Sequence, residues 1–237
     1  RAALRQDDPR CGEAGAGGDE NDAAVRIAEA SAGSHTTISN ARTGRCNILA
    51  EARGISVIDA DAIDNLNLVD ETVTLATILP YTPVDIGDIV ATAKIITFGA
   101  SNKSIMACEN TSRNGPPPVN VAPFKVKRIV LIQSSFPKFR KQIFDKATTV
   151  TRSRVQSLGS EFVKDIRTQH TVDDISNALN ALQELNCDIA LALGAAAIAD
   201  RQDVIPAAIE KCGGCIIHFG IAVDPVNLMM LARVGIL

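Results

Sequence analysis

The chain has 237 residues, of which 46% are hydrophobic and 22% charged, so it contains enough apolar material for a buried core and is not intrinsically disordered. One Tyr, seven Phe and no Trp predict a core of aliphatic side chains. A net charge of −3 argues against a nucleic-acid-binding protein, and no apolar run approaches the ~20 residues of a membrane span.

The six cysteines and the two ends of the chain set further expectations. Only Cys212 and Cys215 are closely spaced, and a zinc site needs a second pair of ligands, so we expect a reduced, cytoplasmic protein without zinc. The CxxC pair is either a redox motif or, more commonly, a helix end flanked by two small apolar thiols. Because the chain starts at Arg1 and stops within an apolar pattern at Leu237, we expect the natural protein to continue beyond one or both ends.

The N-terminal half is predicted to hold a flexible segment and a small α+β domain. Residues 1–29 form the flexible segment because they contain a Gly-rich run and little to bury, although a short amphipathic helix is predicted over residues 23–32. Residues 30–118 form the small domain, and the polar stretch 99–120, with three consecutive prolines, is the predicted linker. The predicted elements of the small domain are strands at 54–59, 71–79 and 84–98 and a helix after Asp59 and Asp61.

In the C-terminal half, strands alternate with helices, which predicts an α/β domain over residues 124–237 with a mainly parallel sheet and right-handed crossovers. Gly159 is suited to end the first helix and Thr171 to cap the second. The strand at 188–193 is interpreted as buried on both faces because its apolar run is continuous. The predicted strands are 127–133, 161–167, 188–193 and 214–219, and the predicted helices are 138–158, 171–185 and a third that ends at Lys211.

The loops at the carboxyl ends of these strands should form one cleft, which is where phosphate-bearing ligands bind in open α/β sheets. The small residues Gly194–Ala197 follow the third strand, so a ligand can approach their backbone N–H groups closely. Carboxylates beside such a turn are typical of Mg²⁺ that bridges a carboxylate and a phosphate, and Arg201 can pair with the phosphate. The candidate residues of the cleft are Ser134, Gly194, Ala195, Ala196, Ala197, Asp200, Arg201, Asp203, Asp224 and Asn227, with Asp200 and Asp203 as the metal ligands.

These features also have purely structural explanations. Asp203 can cap the helix that follows it, and Asp224 before a proline is typical of a turn. His170, which follows the second strand, is more typical of a surface loop than of a ligand site. Earlier in the chain, Arg42 and Arg45 on either side of a Thr-Gly pair either bind an anion or, more commonly, are solvated.

Three segments of the C-terminal half, Gly194–Ala197, Asp200–Pro206 and His218–Asn227, follow the pattern GASA…DRRDVIPAAI…HFGMPVDPGNLL. In this they resemble bacterial molybdopterin-binding proteins, which share a fold with molybdopterin adenylyltransferases and molybdenumtransferases and often carry a nucleotidyltransferase domain. The resemblance implies a three-layer, mainly parallel sheet of the molybdopterin-binding fold, preceded by the small α+β domain, and it implies that Asp203 lies at the pterin site. The similarity extends upstream through residues 43–47, 74–77 and 94–96.

Several positions depart from the pattern of that family. Val226 stands where the family has a Gly, and Ala196 replaces a Ser that can donate a hydrogen bond. Ile205 and Ala207 replace the Thr and Glu of the adenylyltransferases, and Ile is a poorer helix cap than Thr by about 1 kcal/mol. His170 stands where the enzymes have an Asp-Glu pair. These changes favour ligand binding over turnover.

The resemblance therefore predicts a cytoplasmic protein that binds molybdopterin, together with Mg²⁺, in molybdenum cofactor biosynthesis. One alternative is catalytic, namely nucleotidyl or molybdenum transfer to molybdopterin with Asp203 as the catalytic residue, although the sequence contains no P-loop or other triphosphate motif. Another is a non-catalytic scaffold that delivers the cofactor to a partner enzyme. The expected partners are molybdopterin and a molybdoenzyme or nucleotidyltransferase domain, in a homo-oligomer, without nucleic acid or membrane.

Overall fold

The computed structural model describes residues 19–96, 100–137, 141–224 and 228–235. The chain divides into two units, Arg1–Phe124 and Lys125–Leu237, which we call the N-terminal unit and the C-terminal unit. Both units combine helices with strands, and the C-terminal unit contains a parallel sheet, so the predicted α/β class is confirmed. In the described part of the chain, no helix has both the length and the apolar character needed to pass through a bilayer.

The N-terminal unit is built from antiparallel strands and the helices that cover them. Its elements are α1 (Glu20–Ser31), β1 (Thr36–Ile38), β2 (Arg45–Ala50), β3 (Gly54–Ile58), α2 (Ala60–Asn67), β4 (Val73–Thr77), β5 (Pro83–Val84), β6 (Ile89–Ile95), α3 (Asn102–Arg113) and β7 (Val119–Pro123). The strand orders are β1-β2-β6-β4 in one sheet and β5-β3-β7 in the other. Side chains alternate along β2, so that Cys46 and Ile48 are fully buried while Arg45 is exposed.

Helix α1 lies in the core of the N-terminal unit. Ala24, Ile27 and Ala28 form its buried face and are 0% exposed, and Asp19 caps the helix by accepting a hydrogen bond from the N–H of Asn21. Residues 20–29 therefore belong to this core and not to the flexible segment predicted over 1–29. The helix predicted over residues 23–32 is thus confirmed, and the error was to leave its small apolar side chains outside the core. The rest of that predicted segment, residues 1–18, lies outside the described residues.

The linker predicted over residues 99–120 is wrong, because much of it is regular structure. Helix α3 begins after Ser101, whose hydroxyl accepts a hydrogen bond from the N–H of Ser104. Its buried side includes Ile105 and Cys108, and β7 then pairs with β3. A narrow stripe of buried residues is enough to stabilise a helix that is otherwise polar. The overall polarity of residues 99–120 therefore led to the wrong prediction.

The C-terminal unit contains a three-stranded parallel sheet and a separate antiparallel pair of strands. Its elements are β8 (Arg128–Ser135), α4 (Lys141–Ser157), β9 (Glu161–Gln169), α5 (Val172–Asn180), a 3₁₀ turn (Gln183–Leu185), β10 (Ile189–Leu193), α6 (Val204–Lys211), β11 (Cys215–Phe219) and β12 (Met230–Arg233). The strand order in the parallel sheet is β10-β8-β9, so β8 is the central strand. The carboxyl ends of all three strands therefore meet at one edge.

Helices cover both faces of the parallel sheet. On one face, Ile129 and Leu131 of β8 cluster with Val155 of α4. On the other face, Val130 and Ile132 of the same strand cluster with buried residues of α5 and α6. The two-residue alternation of β8 thus gives each layer of helices its own part of the core.

Two predicted helix boundaries in this unit are confirmed. Helix α4 ends at Ser157, and Gly159 follows with φ +73°, a left-handed conformation that glycine adopts without strain. Thr171 caps α5, because its hydroxyl accepts a hydrogen bond from the N–H of Asp174 at 3.1 Å. The residues at which the predicted first helix begins, 138–140, lie outside the described residues.

Two features of the sheet differ from the prediction. Strand β10 lies at an edge and is not buried on both faces, since Ile189, Leu191 and Leu193 are 44%, 38% and 45% exposed. The position buried on both faces belongs to β8, where residues 129–135 are all buried. Strand β11, which was expected to extend the parallel sheet, instead pairs antiparallel with β12. Both differences concern the order of strands, which a local apolar pattern does not encode.

Candidate ligand site at the carboxyl edge of the parallel sheet

The ends of β8 and β9 are joined by a side-chain contact. Ser134, which is 5% exposed, places its Oγ 2.8 Å from Nδ1 of His170, and the two atoms share a hydrogen bond. The backbone N–H of His170 also donates to the carbonyl oxygen of Ser135 at 2.9 Å. The ring of Phe136 meets the imidazole edge-on, with ring centroids 5.2 Å apart. These three contacts hold His170 in place. The sequence had indicated a residue of a surface loop at this position.

The environment of His170 favours the neutral imidazole. Burial lowers the pKa of His170, and the negative charge of nearby Asp203 opposes that effect without cancelling it. A neutral imidazole has one ring nitrogen that donates and one that accepts. The side chain can therefore bind Ser134 through one nitrogen and offer the other to a ligand.

Gly194 brings the end of β10 against this histidine and against helix α6. A Cβ atom at position 194 would lie 2.8 Å from Cδ1 of Ile205, 2.9 Å from the carbonyl oxygen of Ala196 and 3.5 Å from Cε1 of His170. The first two separations are shorter than a Cβ atom keeps from carbon or oxygen atoms in proteins. The turn after β10 therefore requires a residue without a side chain. The close packing of strand, turn and helix thus depends on Gly194.

The turn after β10 leaves a run of backbone donors without partners. Within the described part of the chain, the N–H groups of residues 194–197 donate no hydrogen bond to another residue. Helix α6 likewise begins without a side-chain cap, and the N–H groups of Val204 and Ile205 have no partner among the described residues. Unpaired N–H groups at the start of a helix carry partial positive charge and suit an anionic ligand.

Asp203 stabilises the loop that leads from this turn to α6. Its Oδ2 atom accepts hydrogen bonds from the backbone N–H groups of Ala199 at 2.7 Å and Asp200 at 2.9 Å. These bonds point back into the loop, so Asp203 occupies the N-cap position of α6 without capping it by its side chain. The hydrogen bond from Asp200 is the larger cause and that from Ala199 the next of a lowered pKa of Asp203, so the carboxylate stays ionised. Asp200 in turn accepts from the N–H of Gln202 at 2.7 Å through Oδ1.

The remaining predicted residues lie farther from this group. The guanidinium carbon of Arg201 lies 5.4 Å from the centroid of the Phe219 ring, at the end of β11. Asp224 is exposed, and Asn227 lies outside the described residues. Among the described residues, no group of three or more His, Cys, Asp or Glu side chains is arranged to hold a metal ion.

The structure thus places three of the predicted residues, Ser134, Gly194 and Asp203, around His170. It adds His170 and Ile205, which the sequence left outside the site. The signal for His170 was its position directly after β9, at the same edge as the other candidates. Comparison of the chain with models of known protein families and with curated protein sequences found no match.

Proposed function

We propose that the C-terminal unit binds molybdopterin, as a cytoplasmic component of molybdenum cofactor biosynthesis, through a three-layer molybdopterin-binding fold. The observation that carries this proposal is the run of backbone N–H groups at residues 194–197, at the carboxyl edge of the parallel sheet, which have no partner among the described residues. Supporting it are the helices on both faces of the sheet and the resemblance of residues 188–228 to molybdopterin-binding proteins.

The phosphate of the pterin is the part of the ligand that suits the turn. The N–H groups of residues 194–197 and the uncapped start of α6 provide donors for its oxygens. Arg201, whose guanidinium packs on the Phe219 ring, is exposed and can turn towards the phosphate. The backbone would supply most of the contacts, which agrees with the absence of large side chains in the alanine run.

The two aspartates are assigned to Mg²⁺ and to the polar atoms of the pterin. Oδ2 of Asp203 and Oδ1 of Asp200 accept backbone hydrogen bonds, and in the described part of the chain the second oxygen of each carboxylate accepts none. Mg²⁺ commonly binds one or two carboxylates together with substrate phosphate and water, so these two residues fit it. When bound, the ion would offset the negative charge that the phosphate and the carboxylates bring together.

Binding rather than group transfer is proposed because of the residue that follows β9. His170 shares a hydrogen bond with Ser134 and packs on Phe136, where the enzymes that the chain resembles carry an acidic pair. An imidazole held neutral by burial does not replace the charge of two carboxylates at a metal. It can still orient a pterin by one hydrogen bond.

Calorimetric titration of the full chain with molybdopterin, without oxygen and with Mg²⁺, tests the proposal. We expect saturable binding of one molybdopterin per chain, weakened at least about tenfold in Asp203→Asn, because loss of a charged hydrogen bond costs more than that of a neutral one. Asparagine keeps an oxygen that can accept from Ala199 and Asp200, so the turn is preserved. Glu210→Gln, an exposed change on the same helix, is the control. Absence of binding, or equal affinity of Asp203→Asn and the control, contradicts the proposal.

A further inference from the structure

The N-terminal unit contains a tight hairpin that places two arginines opposite each other. The N–H of Arg42 donates to the carbonyl oxygen of Arg45 at 2.9 Å, and the N–H of Arg45 donates back at 3.0 Å. Thr43 and Gly44 between them have φ values of +48° and +65°, as a two-residue hairpin turn requires. Residues that exchange hydrogen bonds in this way direct their side chains to the same face of the sheet.

A third cation continues the row. Arg45 of β2 lies directly opposite Lys94 of β6 in the antiparallel register. Cys46, the next residue along β2, is fully buried, so the row Arg42–Arg45–Lys94 lies on the face that points away from the core. Like charges placed directly opposite each other across strands destabilise a sheet unless something neutralises them.

No carboxylate in the described part of the chain forms an ion pair with this row. Arg42, Arg45 and Lys94 make no ion pair and donate no side-chain hydrogen bond there. Two other cations of the same unit do form ion pairs, Arg26 with Glu109 and Arg53 with Asp85. Lys103 and Arg113 of α3 form none in the described part of the chain, so what distinguishes the row is that three unpaired cations lie side by side.

The row borders a cavity with a polar lining. The cavity has a volume of about 460 Å³ and is lined by the three cations together with Ser39, Asn40, Thr43 and Asn47. Thr92 donates its hydroxyl hydrogen to Oδ1 of Asn47 at 2.9 Å, which leaves the amide NH₂ of Asn47 available as a donor. Among the described residues, no carboxylate lines the cavity, so those that do supply hydrogen-bond donors and positive charge.

We propose that this cavity binds a small molecule that carries phosphate groups, with Arg42, Arg45 and Lys94 as its charged ligands. Guanidinium groups bind phosphate through two parallel hydrogen bonds, and Lys94 adds a third positive charge. A diphosphate is the simplest ligand with enough negative charge to neutralise the row. The site belongs to the N-terminal unit and does not depend on the function proposed for the C-terminal unit.

Calorimetric titration of the full chain with inorganic pyrophosphate at low ionic strength tests this inference. We expect saturable binding that is weakened at least about tenfold in Arg45→Gln and in Lys94→Gln, because each change removes a charged hydrogen bond. Lys103→Gln, an exposed lysine of α3 outside the cavity, should bind as the wild type does. Circular dichroism of each variant verifies that it is folded.

Several outcomes would overturn the inference. These are no saturable binding of pyrophosphate, unchanged affinity in Arg45→Gln, or equal weakening by Lys103→Gln, which would indicate a general charge effect. Two further arms identify the source of the phosphate, one with vesicles of phosphatidylcholine and phosphatidic acid and one with a single-stranded oligonucleotide. Retention by either of these without binding of pyrophosphate would overturn the assignment to a small molecule.

Discussion

Ser134 and His170 hold the carboxyl ends of two neighbouring parallel strands together through a hydrogen bond of 2.8 Å between Oγ and Nδ1. Ser134 is almost fully buried, so its hydroxyl has little access to water as an alternative partner. The contact holds the imidazole beside Gly194, at the edge of the sheet where the candidate site lies.

Ser134→Ala should reduce the free energy of local unfolding of β8 and β9 by about 1 kcal/mol, the usual net contribution of a hydrogen bond. Hydrogen exchange of peptides from these strands, measured by mass spectrometry, gives this quantity directly. Ser153→Ala, on the exposed side of α4, is the control. Equal protection in Ser134→Ala and the control would show that the contact contributes nothing.

Gly194→Ala should destabilise the C-terminal unit by about 1–3 kcal/mol, as overpacking of a well-packed site does. The added Cβ would lie 2.8 Å from Cδ1 of Ile205. Ile205→Val removes that atom, so the double variant should recover part of the loss. Urea unfolding of both single variants and the double variant measures this coupling. Strictly additive effects would show that Ile205 is not what excludes the side chain.

Glu109→Gln should destabilise the N-terminal unit by about 1–2 kcal/mol at neutral pH, because a hydrogen bond to a charged group contributes more to stability than one between neutral groups. Arg26 of α1 donates to both carboxylate oxygens of Glu109 on α3, at 2.9 Å and 2.6 Å. This hydrogen bonding lowers the pKa of Glu109. A carboxyl group whose pKa is lowered by folding contributes its full stabilisation to the folded protein above the pKa of unfolded glutamate, ~4.3. That contribution is lost as the pH falls through the lower pKa of the folded state.

The difference in thermal midpoint between wild type and Glu109→Gln should therefore be constant from neutral pH to about pH 5 and shrink below it. Circular dichroism melts between pH 3 and 7 measure it. Lys103→Gln serves as the control for a surface change on α3. A difference that grows at acidic pH would reverse the expected sign and contradict the role of the ion pair.

Cys108 should resist alkylation in the folded protein. It is 0% exposed, and burial, with the charges of Asp70 and Glu109, raises the pKa of its thiol to about 11. At pH 8 almost none of it is thiolate, which is the reactive form. Labelling with iodoacetamide followed by peptide mass spectrometry should modify exposed Cys215 first and Cys108 only after unfolding. Equal rates at the two cysteines would contradict this.

The sequence predicts most of the C-terminal unit because its signals are local. Gly159 ends a helix and Thr171 begins one, and each does so through contacts within a few residues. The position of strands in a sheet is a different matter. Strands β8 and β10 are both short apolar runs, and only the chain path decides that β8 is central and that Leu191 of β10 is exposed.

The N-terminal unit was harder to predict because its core packs through small or isolated residues. The sequence predicts α1 as a helix but not its burial, which is largely through alanines, and it misses α3, whose buried residues include Ile105. For the candidate site, the sequence identifies the turn at residues 194–197 but not the partner of His170. That partner, Ser134, is 36 residues away and meets it only because parallel strands end at the same edge.

The central claim is that the main chain at residues 194–197 binds the phosphate of molybdopterin. The most direct test is an NMR titration of the isotope-labelled full chain that follows its backbone amide signals as molybdopterin is added. The proposal predicts that the largest, saturable shifts occur at Gly194–Ala197 and at the start of α6. Saturable shifts confined to other parts of the chain, or no shifts at all, would contradict it.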